Sequence, residues 1–353
     1  MDQKIIIIAA MAIIGLIGIV IYMNYQAPTP AGEIKITDMA DRSLNIPEKV
    51  NKTFSLAGSL TTCLYMIAPD KMVGWNSNNQ TKGQYMNETY KKLPILGGGM
   101  QNANYEQIIA QNPDVIFMGH GKDNNSINDM QQKFGEIPVI DLEGDIILTN
   151  ITPSIKFMGK VLGEENKSQE LVNFYNKVYQ NVTSTVSTIP DSQKKKVYYT
   201  KSADGLTTFA PGSPQVQLIE ICGGKNVVES PVTKGGMGVS MELILDWNPD
   251  VIITSDSQFY QNVYSDSTWA NINAVKNKQV YLQPSSPFNW FENPPGTNTI
   301  IGIPWTAKVL YPDKFQDLDL NSLTKEFYSK FYHYNLTDSD VSNILSSSGL
   351  NQS

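Results

Sequence analysis

One segment of this chain occurs twice. Tyr105-Glu-Gln-Ile-Ile-Ala-Gln-Asn-Pro-Asp-Val-Ile-Phe117 matches Met241-Glu-Leu-Ile-Leu-Asp-Trp-Asn-Pro-Asp-Val-Ile-Ile253, displaced by 136 residues. A repeat of this kind implies two similarly folded units. Each copy reads as a short helix, an Asn-Pro-Asp stop and a buried strand. Pro113 and Pro249 push the preceding residue out of the helical region, and the β-branched run that follows suits a strand. The flanking order agrees. Phe54-Ser-Leu-Ala-Gly58 leads into a helix through Ile67 and then Met72-Val-Gly74, while Lys196-Val-Tyr-Tyr-Thr200 precedes a helix from Gln215 to Cys222 and then Gly223-Gly-Lys-Asn-Val227. The expected fold is therefore α/β, with two pseudo-symmetric β/α lobes built on mostly parallel sheets. Between them, residues 155–188 carry apolar side chains three and four apart, including Phe157, Met158, Val161, Leu162, Leu171, Val172, Phe174, Tyr175 and Val178. That spacing predicts one long amphipathic helix bridging the lobes, beginning after Thr152 with Pro153 in its first turn.

The first residues set the compartment. Lys4 precedes an uncharged apolar run over residues 5–22, long enough to span a bilayer. It reads as an anchor or as a signal peptide, with Thr29 and Ala31 forming only a weak cleavage site. No Cys lies near its end to carry a lipid. Either reading exports the body, because the short positive end stays inside. The expected organisation is an anchor or signal segment at 1–26, a Pro-rich linker at 27–33, a first lobe at 34–150, a bridging helix at 151–189, a second lobe at 190–338 and a polar, frayed tail at 339–353.

Composition removes several functions. Lys and Arg number 27 against 34 Asp and Glu, a net charge of −7 that argues against nucleic acid as partner. Two Cys, Cys63 and Cys222, and two His, His120 and His333, exclude a disulfide framework, an iron–sulfur site and a closed zinc site. Both Cys are expected to be small core residues. Arg42 is the one Arg in the chain, so bidentate clamps on carboxylate or phosphate are largely unavailable. Gly97-Gly-Gly99 lacks the Lys-Ser/Thr ending of a phosphate loop.

Several stretches resemble the substrate-binding proteins of ATP-driven importers for ferric siderophores, haem and cobalamin. Ile36-Thr-Asp-Met-Ala-Asp-Arg-Ser-Leu-Asn-Ile-Pro47 is similar to that family's amino-terminal hairpin, with Asp41 where a Gly is usual. The two repeat copies, with Asn104 and Val239-Ser240 before them, resemble its paired lobe motifs. Val216-Gln-Leu-Ile-Glu-Ile-Cys-Gly-Gly-Lys-Asn-Val227 resembles its second-lobe helix and turn. The likeness covers residues 34–315. It implies a binding protein without catalysis or intrinsic cofactor, taking a metal chelate into the cleft between lobes. It also implies an ABC permease with its ATPase as partners, docked through one surface Glu per lobe, here Glu106 and Glu242. Their equivalent places in the two repeats agree with that role, although an exposed Glu also commonly just solvates its helix.

Ligands of open α/β sheets sit beyond the carboxyl ends of the strands. On that ground Ser59, Trp75, Met100 and His120 are candidate ligand contacts in the first lobe, and Phe209, Met237, Tyr260, Phe288 and Trp290 in the second. Phe288 and Trp290 lie in a segment at 284–296 too rich in Pro for a helix, which suits a cleft wall. His120, between two Gly after a strand, is a candidate axial ligand to a bound metal or simply a hydrogen-bonding loop residue. Catecholate complexes and haem propionates call for several cations, so the scarcity of Arg favours a corrinoid, a hydroxamate-type ferric complex or a small nickel or cobalt chelate. Rival readings are a surface adhesin or receptor on the same scaffold, a hydrolase using Asp256 and Glu292, and a metal-cluster oxidoreductase subunit, which two scattered Cys disfavour.

Overall fold

A computed structural model describes residues 32–98, 102–119, 124–142, 148–229, 236–291 and 295–350. Residues 5–22, the expected anchor, lie outside the described residues. Among the described residues no helix is long and apolar enough to cross a membrane.

The first lobe opens with an antiparallel hairpin, β1 (Glu33–Thr37) and β2 (Ser43–Pro47). Asp41 takes φ 60° in the turn, the left-handed conformation that explains why Gly is usual there. Asp38 holds the turn together. Its carboxylate accepts from the backbone N–H of Ala40 and Arg42, from Arg42 Nε at 3.0 Å and Nη2 at 2.6 Å, and from the Asp141 N–H at 3.1 Å. The chain's one Arg is therefore spent fastening the hairpin to the sheet. Three parallel strands follow, β3 (Thr53–Ser55), β4 (Val115–Gly119) and β5 (Val139–Leu142), in spatial order β3-β4-β5 with Phe54 opposite Ile116 and Phe117 opposite Ile140. Helix α1 (Gly58–Ile67) leaves β3, α2 (Tyr105–Ala110) enters β4, and α3 (Asn124–Phe134) joins β4 to β5.

In the second lobe β6 (Lys196–Thr200), β8 (Lys225–Asn226), β10 (Val251–Thr254) and β11 (Val280–Leu282) form a parallel sheet in the order β11-β10-β6-β8, beside the short antiparallel pair β7 (Thr207–Thr208) and β9 (Met237–Gly238). Helix α6 (Gln217–Ile221) precedes β8, and α7 (Met241–Trp247) leads into β10 as α2 leads into β4. Helix α8 (Ser257–Asn262) follows β10.

The repeated Asn-Pro-Asp motif has the same job in both lobes. Asn112 and Asn248 end their helices at φ 53° and φ 42°. The next acid then ties the new strand to its neighbour. Asp114 accepts from the N–H groups of Asn51 at 2.6 Å and Lys52 at 2.9 Å, just before β3, and Asp250 accepts from Lys196 N–H at 2.9 Å, at the start of β6. The motif is an architectural device that sets strand register.

The bridge departs from the single helix expected over 151–189. It is two helices, α4 (Ile151–Leu162) and α5 (Glu165–Val186). Gly163, at φ 66°, closes α4 in a left-handed cap, and only Gly takes that conformation without strain. The hydrophobic period continues across the break because α4 folds back on α5 and both bury their apolar faces. The long connection is thus α5 alone, 22 residues or about 33 Å.

Three further helices, α9 (Gly302–Leu310), α10 (Leu320–Phe331) and α11 (Asp338–Ser347), complete the chain. The expected frayed tail is instead the ordered helix α11. Thr337 and Asp340 cap it reciprocally, Val341 and Leu345 are buried, and Ser348 accepts from Trp305 Nε1 at 3.1 Å. One apolar core runs through both lobes by way of α1, α4, α5, α9 and α10, and each sheet has a separate cluster on its other face.

The carboxyl-terminal helices also strap the lobes together. The segment after α10 lies on α1, where Tyr65 donates its hydroxyl to the Tyr332 carbonyl at 2.6 Å and His333 Nε2 lies 2.9 Å from the Tyr65 carbonyl oxygen. Burial lowers the His333 pKa below its ordinary value near 6.5, helped by Lys167 and opposed by the Tyr65 carbonyl and Asp70. The unfolded chain therefore takes up this proton more readily than the folded one, so stability falls as pH drops below about 6.5. His333→Asn, an exchange that tolerates the left-handed φ of 54°, should remove that component. Urea midpoints compared at about pH 7.5 and about pH 5.5 check it, and an unchanged pH dependence would assign the loss to other groups.

Candidate functional site

The segments that follow β3 and β11 meet at a cleft between the lobes. A cavity of about 380 Å³ opens there, lined by Gly58, Asn76, Ser77, Asn79 and Gln80 from the first lobe and by Ser285, Pro287, Phe288 and Asn289 from the second. Most of these side chains are amides or hydroxyls.

Helix α1 begins at this cavity. Its N-cap is Ala57, which offers no side-chain acceptor, so the first-turn amides carry their partial positive charge toward the cleft. Around them the first-lobe wall is braced from behind. Asn76 donates through Nδ2 to the Ser55 carbonyl at 2.7 Å and accepts from the Thr61 hydroxyl. Gln80 accepts from the Asn76 and Ser77 N–H groups at 3.1 and 3.3 Å and donates to the Gly58 carbonyl at 3.3 Å. The second-lobe wall is seated directly on the first. Ser286 donates to the Gln84 carbonyl at 3.0 Å, and Gly83 packs so tightly on Pro287 that a Cβ there would stand 2.5 Å from its Cα.

The sequence-based candidates divide. Phe288 borders the cavity and is otherwise buried, and Ser59 sits half-buried in the first turn of α1 beside Gly58. Trp75 and Trp290 are corrections: neither indole reaches the cleft. Both are fully buried, Trp75 donating to the Tyr90 carbonyl at 2.8 Å and Trp290 to the Tyr328 hydroxyl at 3.3 Å. Trp290 is a core residue because α10 covers the Pro-rich loop from behind, and Trp75 because Tyr65 and Phe288 pack against its ring. Phe209 is buried as well, 5.9 Å from the Tyr199 ring, which stacks on Phe291 at 4.8 Å. Tyr260 is half-buried under the carboxyl-terminal segment, its hydroxyl against Gly349, and does not line this cavity. Met237 is half-buried in β9, paired with Thr208. Met100 and His120 lie outside the described residues, as does Glu292. Asp256 caps α8, accepting from Phe259 N–H at 2.8 Å.

The cavity residues that sequence reasoning missed include Asn76 and Gln80, for which the amide-rich run Asn76-Ser-Asn-Asn-Gln80 was the available signal. Lys201, directly after β6, is exposed with its ammonium 4.6 Å from the centre of the Phe209 ring and does not line the cavity. Among the described residues no group of three or more His, Cys, Asp or Glu is arranged to hold a metal ion. Cys63 and Cys222 are free and buried, and burial pushes the Cys63 thiol up to about 12, so both act as inert packing.

Glu106 and Glu242 are exposed, one on α2 and one on α7, at equivalent places in the repeat.

Known proteins agree with this architecture. The chain is similar to the molybdate-binding protein MolA of Haemophilus influenzae, 27% identical over 324 residues that cover 84% of this chain and 90% of that one. An ABC transporter solute binding protein from Sulfurospirillum deleyianum superposes with a TM-score of 0.81 at 28% identity, covering 88% of this chain and 99% of the other. A periplasmic solute binding protein from Veillonella parvula gives 0.77 at 26% identity, over 89% and 97%. The family model described as "Periplasmic binding protein" matches residues 55–287, more than half of the sequence, and includes both repeats. The chain therefore belongs to the periplasmic binding protein family, as a solute-binding component of ABC transporters rather than an enzyme.

Proposed function

We propose that this protein captures a small, oxygen-rich metal species of the molybdate type between its lobes and hands it to the importer's permease through Glu106 and Glu242. The supporting observation is the uncapped amino terminus of α1 opening on a cavity lined by amides and hydroxyls from both lobes. Such a lining satisfies many acceptor atoms and offers little flat apolar surface, which favours an oxyanion or compact chelate over the broader corrinoid and siderophore classes. The likeness to the molybdate-binding MolA supports the same reading. The body works outside the cytoplasmic membrane, tethered by residues 5–22.

Asn76→Ala removes an amide at the cavity wall and should weaken molybdate binding about tenfold or more, the usual consequence of losing a hydrogen bond at a charged group. Calorimetry with molybdate reads it, with a melting curve to show the variant folded. Equal affinity in a folded variant would remove this cavity from the site. Glu106→Ala with Glu242→Ala should leave that affinity unchanged and reduce uptake into cells, and a parallel loss of ligand binding would contradict the docking assignment.

A further inference from the structure

Five large apolar side chains stand exposed among the described residues: Ile34 at 40%, Ile109 at 37%, Leu243 at 45%, Leu245 at 43% and Tyr264 at 46%. Three of the five lie on the two short repeat helices, α2 and α7. Ile109 and Leu245 occupy the same place in the two repeats. Each follows its lobe's exposed Glu by three residues, and side chains three apart share a helix face. The helices do not lack an anchor. Ile108 and Ile244, the next residues inward and again repeat equivalents, are both fully buried. An isolated exposed Leu needs no explanation, but an acid and an apolar side chain presented together on each of two pseudo-symmetric lobes form one duplicated surface.

We infer that Ile109 and Leu245 are the apolar half of the permease-docking surface. This rests on the docking role of Glu106 and Glu242 given above and adds the contacts that hold the complex. The partner surface has a stated chemistry: two cationic sockets, one per permease half, each bordered by an apolar ledge that receives Ile109 or Leu245. Charges orient the encounter and speed it, whereas desolvated apolar contacts govern how long the complex lasts.

The test compares the full chain with two double variants, Ile109→Ser with Leu245→Ser and Glu106→Ala with Glu242→Ala. Each is measured for binding to its own permease–ATPase complex in lipid nanodiscs at low and high salt. The apolar variant should dissociate about tenfold faster while keeping the wild-type dependence on salt. The acid variant should associate more slowly and lose salt dependence. Equal dissociation rates for the apolar variant and the wild type would overturn the inference while leaving the acid pair standing. An unaffected acid variant would overturn the docking role of the Glu pair itself. Self-association of the wild type in sedimentation, abolished by the apolar double variant, would assign the surface to a second copy of this chain and also overturn the inference.

Discussion

Trp290→Ala lowers the stability of the folded chain by about 3–5 kcal/mol, the range for deleting a fully buried Trp. The indole is completely shielded from solvent, and its N–H donates to the Tyr328 hydroxyl. Truncation leaves a cavity between the 284–290 loop and α10 and orphans part of a hydrogen-bonded pair. Tyr328 also donates to the Ser286 carbonyl, so the same change loosens the loop that carries Ser285, Pro287 and Phe288 to the cavity. Chemical denaturation monitored by far-UV dichroism checks the loss, and Trp290→Phe should recover part of it. A Trp290→Ala protein of wild-type stability whose ligand affinity alone had fallen would return the indole to the cleft wall.

Asp38→Ala should be the second severe change, destabilising by about 3 kcal/mol or more, because removing one member of a buried ion pair strands the other. The Asp38 side chain is fully buried, and the Arg42 side chain is 16% exposed. Besides the guanidinium, Asp38 satisfies three backbone N–H groups, and Arg42 in turn donates to the Val139 carbonyl at 2.7 Å. Losing it detaches the β1–β2 hairpin from β5. Arg42→Lys should cost less but more than a surface exchange, since a single ammonium cannot reproduce the forked contact. The readout is the urea midpoint of each variant. A loss below about 1 kcal/mol for Asp38→Ala would show the hairpin to be independent of the sheet.

The two-lobe plan was legible because its determinants are local. The repeat, its Asn-Pro-Asp stops and the β-branched strands each act within a few residues, and the hairpin turn declares itself through Asp38 to Arg42. The bridge was only half legible. Gly163 sat inside an unbroken apolar period, and nothing local distinguishes one long helix from two that fold back with the same faces buried. The helix α11 had a readable start in Thr337 and Asp340, but its polar composition spoke louder than its cap.

The site was less legible for a different reason. A sequence shows that Trp75 and Trp290 follow strands or lie in a Pro-rich loop, yet not that Tyr328, Tyr332 and His333, far along the chain, cover that loop and α1 from behind. Long-range packing decided which face of the loop meets the cleft. What remains at the cavity is the polar remainder, Asn76, Ser77, Asn79, Gln80, Ser285 and Asn289, whose side chains carry no periodic signal. Arg42 shows the same point in reverse, since its scarcity bears on the ligand only through its absence from the cleft.

The measurement that tests the account most directly is a calorimetric titration of the protein with molybdate, tungstate, sulfate, nickel–histidine, a ferric hydroxamate and cobalamin. The account predicts saturable one-to-one binding of molybdate and tungstate at about micromolar affinity or tighter, both weakened about tenfold or more by Asn76→Ala, with no heat from cobalamin. Tight cobalamin or hydroxamate binding with none for the oxyanions would contradict it.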